Sequence, residues 1–126
     1  MDERKYLSLN GISSYKKSFL LSNDVWNIVV QWDALAKNTI GSQFVRAIDS
    51  ISSNIAEGFG RYGKKDKVCF YRIARALTYE SLDWLEKSKR RDLLSSERYD
   101  SIFGILKELP KDINTLIKYT RDRLVQ

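Results

Sequence analysis

A chain of 126 residues with 43% hydrophobic content is long enough to bury one core and too short for two. A single Pro and six Gly argue against an all-β fold, and one Cys with no His excludes an internal disulfide and any familiar zinc set. The net charge of +6 is concentrated: residues 61–91 hold ten cations against four acids, while the remainder balances at twelve against twelve. So localised a positive field suits a polyanionic partner.

Residues 1–11 read as an irregular arm that ends in the turn signal Asn10-Gly11. The start, Met1 to Lys5, is charged and no apolar stretch follows it, so no signal peptide is expected. No run reaches the roughly 20 apolar residues of a membrane-spanning helix. A soluble, cytoplasmic protein is the expectation.

Ser13 or Ser14 can cap a first helix running to about Ala36. Leu21, Val25, Ile28, Trp32 and Leu35 share one face of it. A second stripe, Phe19, Trp26 and Val29 or Val30, makes the apolar surface wider than one core contact needs. Phe19, Trp26 and Val30 are therefore the expected contact with another subunit.

The second helix is expected over about 40–59, capped by Thr39, with Phe44, Ile48, Ile51, Ile55 and Phe59 inward and Ala47 alongside. Gly58-Phe59-Gly60 can close it if a glycine turns left-handed. A third helix, about 64–90, carries Phe70, Ile73, Ala74, Leu77, Trp84 and Leu85 inward and Arg72, Arg75 and Tyr79 outward. Its C-terminal cations, Lys87 to Arg91, complement the helix dipole. The fourth begins after Ser95 or Ser96, with Tyr99, Phe103, Leu106, Leu109, Ile113, Leu116, Thr120 and Leu124 as its stripe and a kink at Pro110. The sum is an all-α protein, an antiparallel up-down-up-down four-helix bundle forming a single domain over 12–126.

Residues 58–63, Gly-Phe-Gly-Arg-Tyr-Gly, match G-x-G-x-x-G, and residues 58–65 match a phosphate loop except that Lys65 replaces its Ser or Thr. Both motifs require a preceding strand, whereas the stretch before Gly58 has helical periodicity, so these glycines read as an inter-helix turn. Arg61, Lys64, Lys65, Lys67, Arg72 and Arg75 are the candidate contacts to RNA or DNA phosphates. Tyr62, Tyr71 and Tyr79 lie in the same segment, where core packing outweighs base stacking as their role. Arg46, Asn54, Glu57 and Glu80 read as a structural polar network in which an Arg–carboxylate pair ties the second helix to the third. A hydrolytic site built on Glu57 and Glu80 is the weaker reading, since paired carboxylates lack supporting His or metal-ligand spacing. Cys69 reads as a packing residue, and no catalytic residue, metal ligand or cofactor site is expected.

Gln43-Phe44-Val45-Arg46-Ala47, Ser50-Ile51 and Asn54 through Arg61, followed by Phe70 to Arg75 and Glu80, resemble the motifs of the four-helix bundle protein family. Members of that family include proteins encoded in intervening sequences of bacterial 23S ribosomal RNA genes. The likeness runs from about residue 12 to the C-terminus and is strongest over 43–80. Ser53 departs from a common Pro, and Ala76-Leu77 from a common Gly-Ser. The resemblance implies a ring-forming bundle, commonly a homopentamer. It also implies kinship with accessory proteins of diversity-generating retroelements, which bind nucleic acid and a reverse transcriptase. It carries over no catalytic residue.

Overall fold

A computed structural model of the protein describes residues 8–123; the first seven residues of the expected arm, and Leu124, lie outside them. Among the described residues there is no strand. A short 3-10 turn, Leu9–Gly11, leads into α1 (Ser13–Val29). Ile12 holds the N-cap position without a side-chain bond, so neither Ser13 nor Ser14 caps α1. Residues α2 (Ala34–Ala36), a π-helical turn (Lys37–Gly41) and α3 (Ser42–Gly60) run on as one right-handed leg. Then come α4 (Lys64–Arg90), α5 (Ser96–Leu106) and α6 (Leu109–Asp122). These form four legs of an up-down-up-down bundle, with α3 packed between α1 and α4, and α6 packed against α4 and α1.

The first leg is shorter than its periodicity suggests. α1 stops at Val29, and Asp33 opens the next leg by accepting a hydrogen bond from the Ala36 amide at 2.9 Å. Leu35 is consequently 77% exposed instead of core. Thr39, the expected cap, instead donates its hydroxyl to the Leu35 carbonyl inside the helix. Gly41 sits where a β-carbon would meet Val29 Cγ1 at 2.7 Å, so the π-turn lets the second leg press onto the end of α1.

α3 follows its expected stripe: Phe44, Ala47, Ile48, Ile51 and Ile55 are buried. Its end does not follow expectation. No glycine among the described residues has a positive φ; α3 continues helically through Gly60, and Arg61 leaves in an extended conformation. Gly58 serves close packing instead, because a β-carbon there would lie 2.7 Å from Tyr71 Cε1 and 3.0 Å from the Lys67 carbonyl oxygen.

That tight crossing rotates α4 relative to the sequence expectation. Its buried face is Val68, Tyr71, Ala74, Thr78, Ser81, Leu85 and Ser88, small side chains except for Tyr71 and Leu85. Thr78 and Ser88 donate to carbonyls of their own helix, which satisfies their hydroxyls without a partner leg. Ile73, expected inside, is 43% exposed, and Phe70, Leu77 and Trp84 lie half-buried at the flanks. Ser95 caps α5 by accepting from the Arg98 amide at 3.2 Å. Pro110 breaks the last leg as expected: Lys107 and Glu108 form a turn, and Pro110 falls in the first turn of α6. Ile102 fills the place assigned to Phe103, which lies at the surface. Tyr99 donates its hydroxyl to Glu86 and joins α5 to α4. That bond, aided by burial, pushes its phenol up to about 12, and burial alone does the same to Tyr71.

Candidate functional site

Of the cations expected along 61–75, Arg61 precedes α4 and the others divide between two of its sides. Residues 64, 65, 68, 72 and 75 share one face at helical spacing, whereas 67 falls on another. Lys64, Lys65, Val68 and Arg72 line a concavity of about 430 Å³, completed by Arg121 near the end of α6. Antiparallel packing makes this composite, since the first turn of α4 lies beside the last turn of α6. Lys64 Nζ donates to the Arg121 carbonyl at 3.1 Å, which fixes the two ends together. Further along the same face, Arg75 donates to the Asn114 side-chain oxygen of α6. Among the described residues that line the concavity none is acidic; four are cations and the fifth is Val68.

Arg61 and Lys67 do not line it. Arg61 pairs with Glu57 at 2.9 Å, lies 3.9 Å from Asp66 and covers the Phe70 ring at 4.6 Å. Lys67 donates to the Phe59 carbonyl at 2.7 Å, closing the end of α3, and its partial burial lowers its pKa. Arg121 was absent from the sequence expectation because it lies about fifty residues beyond the basic segment. Only the pairing of α6 with α4 brings it in.

The expected network of Arg46, Asn54, Glu57 and Glu80 does not form within the chain. Asn54 donates to the Ser50 carbonyl in its own helix, and Glu57 is occupied by Arg61. Glu80 accepts from the Trp84 indole at 3.4 Å, one turn away on α4. Arg46 and Glu80 are both exposed, so neither charge needed a buried partner. Glu57 and Glu80 likewise stand on separate helices with separate partners. Among the described residues no group of three or more His, Cys, Asp or Glu side chains could hold a metal ion. Cys69 is exposed instead of packed, one residue away from the inward face.

A second concavity, about 480 Å³, runs between α1 and α3. Trp26, Val29, Val30 and Val45 give it apolar walls, with Arg46 and Asp49 among its polar ones. Burial raises the Asp49 pKa. Phe19, Trp26 and Val30 all remain exposed along α1, as the sequence anticipated for that stripe. Among the described residues no helix is long and apolar enough to cross a membrane.

A family model described as 23S rRNA-intervening sequence protein matches residues 11–115. The fold is also similar to a crystal structure, at 1.70 Å resolution, of a protein with unknown function from the S23 ribosomal protein family of Bacteroides thetaiotaomicron VPI-5482. The two share 24% identity and a TM-score of 0.74 over 83% of this chain and 98% of the other. At that identity the likeness speaks to fold alone. No curated protein matches the chain.

Proposed function

The chain belongs to the 23S rRNA-intervening sequence protein family, and from that premise we propose that it is a non-enzymatic, oligomeric RNA- or DNA-binding bundle of the cytoplasm. The observation that carries this reading is the concavity lined by Lys64, Lys65, Arg72 and Arg121, with no acid among its described lining residues. Clustered cations with no acceptor to read a base edge favour phosphate contacts, which give affinity without sequence preference. Arg75 extends the same face. Each phosphate neutralised releases condensed counterions, so binding weakens steeply with salt.

Fluorescence anisotropy of a labelled oligonucleotide across a salt series tests the reading. Micromolar binding at low salt, lost in Lys65→Glu with Arg72→Glu, supports it. Absence of binding at low salt overturns it.

The exposed apolar side chains Phe19, Trp26 and Val30 support assembly through the outer face of α1, with the family resemblance suggesting a ring of five. They also favour a second reading, an accessory module that contacts a reverse transcriptase. A gene neighbourhood holding a reverse transcriptase and a repeat cassette supports that reading, and a ribosomal RNA locus opposes it.

A further inference from the structure

Two exposed aromatic rings bracket the cationic concavity. Tyr62, in the three-residue turn before α4, is 81% exposed, and Tyr79 is 60% exposed. Lys65, Arg72 and Tyr79 follow one another at intervals of seven residues on α4. Seven residues are two turns less about 20°, so the three lie in nearly one line along the helix. Tyr62 stands two residues before Lys64, within about 8 Å of backbone reach. The tyrosine whose ring does belong to the core, Tyr71, is 1% exposed and seated against Gly58. Folding thus divides the three tyrosines of the basic segment into one that is buried and two that stay largely exposed. Past Tyr79 the cationic track ends, because Asp83 lies there with Lys87 paired to it at 2.6 Å.

A tyrosine ring has an apolar face and a polar hydroxyl, which suits it to a surface that a partner covers. Cations flanked at both ends by exposed rings suit a polynucleotide whose bases are unpaired. The groove tracks the backbone, and each ring accepts the face of a base whatever its identity. A duplex offers its phosphates to such a surface but keeps its base faces stacked inside. The α4 surface is therefore expected to discriminate by strandedness.

We propose that the track Tyr62–Lys65–Arg72–Tyr79, with Arg121, takes single-stranded nucleic acid, its phosphates against the cations and its bases on the two tyrosine rings. This rests on the nucleic-acid reading above and adds the class of strand.

The test compares a fluorescein-labelled, unstructured 20-nucleotide DNA strand with the same strand annealed to its complement, at one salt concentration. The expected result is tighter binding of the single strand. Tyr62→Ala and Tyr79→Ala should each weaken single-strand binding by about tenfold and leave duplex binding within twofold. Tyr62→Phe and Tyr79→Phe, which keep the ring, should retain the preference. Circular dichroism guards against a variant that fails to fold, and the exposure of both rings makes that outcome distinguishable. Equal binding of strand and duplex, or alanine variants that weaken both alike, overturns this inference and leaves the phosphate reading standing. Preference for the duplex overturns it as well. Binding of neither probe overturns both.

Discussion

The Tyr71 ring rests against the bare α-carbon of Gly58, so closely that a β-carbon there would come within 2.7 Å of Tyr71 Cε1. Lys67 carbonyl oxygen and Phe70 Cβ, both at 3.0 Å from the same point, close the other sides. Neither a backbone carbonyl nor a fully buried ring can give way cheaply.

Gly58→Ala should therefore destabilise the bundle by about 1–3 kcal/mol, the usual range for overpacking. The gain in helix propensity offsets only part of this. Gly60→Ala provides the contrast, since a β-carbon there meets nothing within 4 Å and the residue is already helical. That variant should be neutral or stabilised by roughly 0.5 kcal/mol. Urea unfolding of the two side by side checks the pair; equal behaviour would refute the packing role of Gly58.

The start of the second leg offers another paired comparison. Asp33 holds the Ala36 amide, whereas Thr39 bonds only to a carbonyl of its own helix. Asp33→Ala is expected to cost about 1 kcal/mol, and Thr39→Ala to stay within roughly 0.5 kcal/mol. The reverse order in chemical denaturation would move the helix start back to Thr39.

Arg121→Glu should weaken binding of a labelled oligonucleotide as much as Lys65→Glu does, since both line one concavity. Each should also flatten the log–log salt dependence by about one unit. Arg61→Gln should leave that slope unchanged, because Arg61 lies with Glu57 and Phe70 outside the concavity. Anisotropy at four or five salt concentrations separates these outcomes.

Alkali should unfold the protein through two tyrosines. Unfolded tyrosines ionise near 10, while Tyr71 and Tyr99 in the fold are pushed up to about 12. Above pH 10 the unfolded chain releases protons that these two folded side chains retain, so stability falls. Their contribution is intact below pH 10 and lost as pH rises through 12. Tyr99→Phe, which removes the hydroxyl bonded to Glu86, should shrink that loss. Thermal melts from pH 8 to 12 measure it, and a flat profile would contradict the assignment.

If copies of the chain meet through the outer face of α1, Trp26→Glu with Val30→Lys should reduce the mass seen by light scattering to that of a monomer. The helical content should not change, because both side chains are exposed in the single chain. An unaltered mass would place the contact elsewhere.

The sequence pattern was clearest where burial and bulk coincide. On α3 the large residues Phe44, Ile48, Ile51 and Ile55 are also the inward ones, so counting apolar spacing finds them. On α4 close contact with α3 selects Ala74, Thr78, Ser81 and Ser88 for the inside and sends larger apolar groups to the flanks. A count of hydrophobic residues then points about one position off, toward Ile73 and Phe70. The same limit hid one of the four cations of the candidate site. Charge read along the chain finds Lys64, Lys65 and Arg72, but Arg121 joins them only through the antiparallel return of α6. Of the others expected there, Lys67 falls on a different side of α4, and Arg61 precedes that helix in the turn after α3.

The hollow between α4 and α6 also places a load on the protein that holds it. Four cations gathered around one floor, with no acid among the described residues of its lining, repel one another. Dissolved salt relieves that repulsion by screening, and a multivalent anion relieves it by occupying the hollow. The folded state should therefore gain from such an anion in proportion to how well it seats. Heat resistance, measured with sulfate or a short polyphosphate and no label of any kind, becomes a gauge of what the surface accepts.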